Sequence, residues 1–250
     1  MFDTASPKLT FLFGLVLGLA IVSVIGFIFL LVTRTWGTGT AKADTAYVPP
    51  APTAAADPTP SAPTVGAFRP VDDTDHIRGN ANAPITMIEY SDTECPFCKV
   101  FHTTMNDIVK QYDGKVRWVY RYFPLRQLHS KAAKEAEAAE CAANLGGNAK
   151  FWEYLDRIFA TTGSNDSLDP AELPKVASAI GLNQQKFTAC LNSGKMATRV
   201  SQDERDAVQA GGRGTPYTVI ITPDGQKIPL EGALPVSEVQ SILDPIVSKK

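Results

Sequence analysis

Ile85-Thr86-Met87-Ile88-Glu89-Tyr90-Ser91 leads through Asp92-Thr93-Glu94 into Cys95-Pro96-Phe97-Cys98. The first run is apolar and β-branched enough to be a strand, and the residues after the cysteines carry helical periodicity. A dithiol with two intervening residues therefore sits at a strand-to-helix junction. With Cys95 as N-cap, Pro96 falls at N1, where its missing N–H and fixed φ suit the first turn. Phe97 and Cys98 are then N2 and N3, whose N–H groups find no partner within the helix. Those donors and the positive end of the helix dipole favour a Cys95 thiolate over a thiol. The apolar face expected of this helix is Phe97, Phe101, Met105, Ile108 and Tyr112, with Val100 and Thr104 beside it.

A structural zinc site would need a second cysteine or histidine pair at matching spacing, and Cys141 and Cys190 belong to no such pair. An inert disulfide inside the motif would close a strained, easily reduced ring. Disulfide exchange is the chemistry that suits this position, and it needs no cofactor.

The 250 residues carry a formal net charge of -2, which argues against nucleic acid as a partner. From Leu9 to Val32 no residue is charged. A run of about 24 positions spans roughly 30 Å as a helix, enough to cross a membrane. Ala41-Lys42-Ala43 resembles a signal-peptide cleavage site, but the apolar region is too long for a signal peptide, so an uncleaved anchor is expected. Gly14 and Gly18 form a G-x-x-x-G pair, a pattern that lets two such helices approach. Lys8 and the amino terminus on one side are nearly matched by Arg34 and Lys42 on the other, so charge leaves orientation open. The chemistry orients it instead: a disulfide-forming dithiol works outside the reducing cytosol, which puts the short N-terminus (1–8) in the cytoplasm and the catalytic part outside. Residues 33–70, rich in Pro, Ala and Thr, have too little apolar surface for a core and read as an extended, disordered spacer.

The remaining 71–250 suffices for one compact domain. After the motif helix, expected to run to about Tyr112, Val116 to Phe123 reads as a second strand, parallel to the first across a right-handed crossover. A helical insert is expected over about 125–212. It comprises Lys131–Leu145 closed by Gly146-Gly147, a stripe of Phe151, Trp152, Leu155, Ile158 and Phe159, and helices ending near Ile180, Leu191 and Ala210. Strands at Tyr217–Ile221 and Lys227–Leu230, joined by a Pro223-Asp224-Gly225 turn, and a closing helix from Pro235 to Val247 complete an α/β order.

The Cys-Pro-Phe-Cys motif, Gly214-Thr215-Pro216 before an apolar strand, Phe123-Pro124-Leu125 with His129 and an alanine-rich helix bearing Cys141, and Phe187-Thr188-Ala189-Cys190-Leu191 occur in an order that resembles the DsbA-like class. The likeness is to membrane-anchored DsbA/BdbD-type thiol-disulfide oxidoreductases and covers about Val71 to Val247. It implies a thioredoxin-like fold with an inserted helical subdomain, here preceded by one transmembrane helix. It implies that Cys95 and Cys98 are the catalytic dithiol, that Pro216 is cis against them, and that the Thr215 backbone pairs with extended substrate, flanked by Pro96 and Phe97. Alternation puts Glu89 on one face with Ile85 and Met87, so burial of that face buries the carboxyl; the resemblance implies a buried acid there that exchanges protons with Cys98. Cys141 and Cys190 are expected to form a structural disulfide, with free buried thiols as the other reading. His102 is read as a packed or solvated side chain and His129 as the start of the insert, with no catalytic role.

The resemblance also implies the partners: reduced, unfolded exported proteins and a membrane quinone-linked reoxidase. Cys95 is expected to be the exposed nucleophile and Cys98 the buried resolving thiol. Phe97 stands where the enteric motif has histidine, which removes one source of thiolate stabilisation and leaves an isomerase or reductase of the same fold as an alternative to an oxidase. A membrane-tethered metal carrier using Cys95, Cys98 and His102 is the rival from another class.

Overall fold

The computed structural model describes residues 64–248. The expected cytoplasmic N-terminus at 1–8, the membrane helix at 9–32 and the spacer as far as residue 63 lie outside them. Among the described residues no helix is long and apolar enough to cross a membrane.

In chain order the elements are β1 (His76–Gly79), β2 (Ile85–Ser91), α1 (Pro96–Gln111), β3 (Val116–Tyr122), α2 (Ala132–Thr161), α3 (Glu172–Ala179), α4 (Gln184–Ser193), α5 (Ala197–Ala210), β4 (Tyr217–Ile221), β5 (Lys227–Glu231) and α6 (Val236–Ser248). The five strands form one sheet ordered β1-β3-β2-β4-β5. β2 and β3 are parallel, as the crossover through α1 requires, and the other three pairings are antiparallel. β2 lies at the centre with all seven residues buried, which suits its near-continuous apolar run.

One face of the sheet carries Ile85, Met87, Trp118, Tyr120 and Tyr122, packed with Phe101, Met105 and Ile108 of α1 and Val239 and Leu243 of α6. The other face carries Ile88, Tyr90, Val119 and Val219, covered by Ala207 and Ala210 of α5. This corrects the expected extent of the insert. α5 falls within 125–212, yet it is a layer of the sandwich rather than part of the helical subdomain, because Ala207 and Ala210 of its buried face pack on the sheet. The subdomain proper is α2 to α4, with Phe151, Tyr154, Leu155, Ile158 and Phe187 at its centre.

Two local expectations differ from what is observed, and one holds. The expected break at Gly146-Gly147 is present: within α2 two helical segments meet at Gly147, whose φ of 72° is a left-handed value that glycine adopts without steric cost. The packed chain begins before Val71. Gly66 N–H donates to the Ala210 carbonyl at 2.9 Å, Arg69 N–H donates to Asp206 at 2.7 Å, and the Arg69 guanidinium bonds Asp75 and Asp203. Val65 and Phe68 pack on the face that α5 covers, giving residues 64–70 the apolar anchors that the spacer composition obscured. On α1 the buried face is Cys98, Phe101, His102, Thr104, Met105, Ile108 and Val109, whereas Phe97 and Val100 are 63% and 62% exposed.

Candidate active site

Cys95 is the N-cap of α1, with extended φ and ψ of -77° and 122°, and Pro96 opens the helix. The polarity of the motif is as the sequence suggests, but its shielding is greater. Cys98 is fully buried, and Cys95 keeps only 4% exposure, so it is a recessed thiol rather than an openly exposed one. Pro96 and Phe97 are the exposed residues of the motif. Both cysteines are free.

Asp92 holds the pair from below. Its N–H donates to Cys98 Sγ at 3.4 Å, and its carbonyl accepts from the Cys95 N–H at 3.2 Å. From the other side the Thr215–Pro216 peptide bond is cis, and the Cys95 thiol donates to the Thr215 carbonyl at 3.4 Å. Residues 120 positions apart in sequence thus meet at one sulfur.

The Cys95 thiol is pulled down to about 6, most strongly by the Cys98 thiol, against the cost of burial, and then by the Thr215 side chain and the N–H groups of Cys98 and Phe97. The helix mouth was expected to lead this list. Cys95 makes no capping hydrogen bond, because its sulfur is directed to Thr215 and Cys98, and the helix donors contribute only as lesser neighbours. Cys98 moves the other way: burial pushes it well above the ordinary thiol range, helped by the Cys95 and Glu89 charges. The two sulfurs are therefore split into a good leaving thiolate and a reluctant, proton-holding thiol.

Glu89 has no exposed surface. In register it lies between Tyr120 of β3 and Thr218 of β4, on the face that carries α1. Burial pushes its carboxyl up to about 8, so it is neutral at pH 7. The Ser91 hydroxyl and Trp118 indole pull weakly towards the anion, yet neither carboxyl oxygen has a hydrogen-bond partner among the described residues. The Ser91, Tyr120 and Thr218 hydroxyls and the Trp118 N–H are unpaired as well. Beneath Cys98 there is thus a cluster of buried polar groups around one retained proton.

Sequence reasoning missed the way the insert grips the turn before Cys95. The Asp92 carboxylate accepts from Leu125 N–H at 2.7 Å and contacts His129 Nδ1 at 2.9 Å. Thr93 donates to Glu135 at 2.7 Å, while Glu94 accepts at its carbonyl from Asn165 N–H at 2.8 Å and at its carboxylate from the Thr162 hydroxyl at 3.2 Å. No local pattern signals these contacts, since each joins residues more than 30 positions apart. His102 does not join the dithiol: its Nε2 is on Asp156 at 2.7 Å and its ring packs on Trp118 and Phe159. Among the described residues no group of three His, Cys, Asp or Glu side chains is arranged to hold a metal ion. Cys141 of α2 and Cys190 of α4 are joined, with an S–S distance of 1.99 Å.

The thioredoxin family model matches residues 71–245, the whole of the sheet, the insert and most of α6. The chain belongs to the thioredoxin family. Among solved structures, this thioredoxin-family chain is similar to DsbA2 of Pseudomonas aeruginosa, at 28% identity and a TM-score of 0.62, over 72% of this chain and 98% of that one. BdbD from Bacillus subtilis shares the fold at 16% identity and a TM-score of 0.61, over 74% of this chain and 99% of that one. The free, polarised dithiol thus sits in a fold that this chain shares with DsbA2 and BdbD. Among curated proteins it is 38% identical over 148 residues to a Na(+)/H(+) antiporter NhaA 3 of Salinispora tropica, covering 59% of this chain but 22% of that protein. It is also 28% identical over 232 residues to a Na(+)/H(+) antiporter NhaA of Herminiimonas arsenicoxydans, over 92% of this chain and 32% of that protein. The chain spans less than a third of the length of these curated relatives.

Proposed function

We propose that the protein is an extracytoplasmic oxidase that introduces disulfide bonds into exported proteins. The observation that carries this reading is the split of one dithiol at the cis-proline: Cys95 drawn down to about 6 beside a Cys98 held well above the ordinary thiol range. A stable Cys95 thiolate stabilises the reduced enzyme, and a reduced form so stabilised makes the disulfide a strong oxidant.

In the forward direction a substrate thiolate attacks Cys95 Sγ of the Cys95–Cys98 disulfide. The S–S bond breaks, and Cys98 leaves with the electron pair and takes a proton, for which Glu89 is the buried donor. A second substrate thiolate attacks the substrate sulfur of the mixed disulfide and expels the Cys95 thiolate. Two electrons have then passed from the substrate sulfurs to the enzyme dithiol. Neither the Cys95–Cys98 disulfide nor the mixed disulfide has an S–H to donate, so the Thr215 carbonyl, which accepts from Cys95 only in the protonated dithiol, is free for a substrate N–H. Main-chain pairing of that kind gives little sequence preference, and the exposed Pro96 and Phe97 border it.

The Cys141–Cys190 bond supports an oxidising compartment. With the apolar run at 9–32, it favours a single-pass cell-membrane protein whose N-terminus is cytoplasmic. In that setting the reduced dithiol would pass its electrons to a membrane quinone-linked reoxidase. Substrate trapping with Cys98→Ser tests the proposal: several exported proteins should accumulate as mixed disulfides through Cys95. Absence of any adduct while Cys95 still reacts with an alkylating agent would refute it. The equilibrium of the wild-type dithiol with glutathione then decides direction, an oxidase being reduced at low glutathione and an isomerase or reductase resisting it.

A further inference from the structure

We propose that His129 is a positioning residue for Cys95: held by the Asp92 carboxylate at the start of the insert, its imidazolium supplies the charge that steadies the Cys95 thiolate in place of the histidine that Phe97 displaces from the motif.

Asp92 links the dithiol to His129. One residue bonds both cysteines through its backbone, the Cys98 sulfur by its N–H and the Cys95 N–H by its carbonyl, and holds His129 Nδ1 through its side chain at 2.9 Å. The same carboxylate is fixed by Leu125 N–H at 2.7 Å and Glu94 N–H at 2.8 Å, so the ring is oriented by a group that is itself immobilised. His129 N–H also donates to the Leu125 carbonyl at 2.8 Å, which pins its backbone to the Phe123-Pro124-Leu125 turn. His129 is buried, and its ring is held through Nδ1 by the residue whose backbone bonds both cysteines. A carboxylate-oriented imidazole fixed to the turn that carries the dithiol is an arrangement suited to electrostatic support.

The charged and titratable groups facing His129 are Asp92 and Cys95 of the turn and cap, and Asp166 of the loop after α2. All three favour the imidazolium and together outweigh its burial, so His129 titrates above the ordinary histidine range. The attraction between ring and sulfur is mutual: what the thiolate does to the imidazole, the imidazole does to the thiolate. Its share is smaller than the direct contacts of Cys98, Thr215 and the helix N–H groups. It differs from them in being lost when His129 gives up its proton.

This inference deepens the proposed dithiol chemistry, but its test does not depend on disulfide transfer. The His129 ring is titrated by NMR in the wild-type protein twice, with Cys95 and Cys98 reduced and with the two joined. The midpoint should be higher in the reduced protein by about half to one pH unit, because only then does a thiolate face the ring. In His129→Gln the thiolate absorbance of Cys95 should titrate higher by the same amount, a threefold to tenfold loss in acidity. Its glutathione equilibrium should shift by the same factor towards the oxidised enzyme. Equal histidine midpoints in the two redox states overturn the inference, and need no variant to fold. Failure of substrate trapping alongside unequal midpoints would sink the proposed function and leave this coupling standing.

Discussion

Cys95 and Cys98 stand three positions apart at the mouth of α1 as free thiols, whereas Cys141 and Cys190 come from α2 and α4, 49 positions apart, and are joined. The second pair belongs to the hydrophobic cluster that includes alanine, leucine and phenylalanine side chains of the insert. The first pair has different polar neighbours at its two sulfurs: Thr215 and the helix N–H groups act on Cys95, whereas burial and Glu89 act on Cys98. Burial alone does not separate a reactive cysteine from a structural one here, since all four are buried. What separates them is whether polar groups split the pair into unlike halves.

That contrast can be broken most severely from the structural side. Replacing Cys141 and Cys190 with alanine reopens a loop of 49 positions, worth about 4 kcal/mol in the chain-entropy model. Thermal or denaturant unfolding should show a loss of that size, while Cys95 alkylation in the folded variant keeps its rate. A changed thiol reactivity at native stability would mean that the second pair takes part in the chemistry.

Glu89 sharpens the comparison next, because its sign is unusual. Its carboxyl is raised from 4.5 to about 8 in the folded protein, so its contribution to stability is full below about pH 4.5 and is lost as pH rises through 8. Glu89→Gln removes that penalty and should stabilise the protein at pH 7 by about 3 kcal/mol, with the gain vanishing near pH 4. The same variant should slow release of Cys98 from the disulfide, having no acidic proton to give. Equal stability curves from pH 4 to 8 would show that the carboxyl is solvated. The smallest effect is expected of Phe97→His, which adds an exposed imidazole at N2 and should lower the Cys95 midpoint by at most about one unit in thiolate titration.

The dithiol, its helix and the central strand were legible because each rests on local chemistry: a cap, a proline at N1, a run of β-branched residues; the cis Pro216 came only from the family resemblance. β1 was not legible. His76-Ile77-Arg78-Gly79 has no alternation of its own and is a strand only because Tyr120 to Arg117 of β3 offer it an antiparallel edge. The role of α5 was hidden for a similar reason, since an alanine-rich helix reads alike in an insert and over a sheet. Among site residues, Glu89 was visible from strand alternation. Asp92 and His129 were not, because 37 positions of chain separate a turn residue from the ring it holds.

The most direct test of the account is the titration of Cys95 in the reduced protein, followed by thiolate absorbance and by the pH dependence of alkylation. A midpoint near 6, with Cys98 remaining protonated throughout, is the result expected of a dithiol divided by its surroundings. A midpoint near that of a free cysteine, about 8.5, or simultaneous ionisation of both sulfurs, would contradict it.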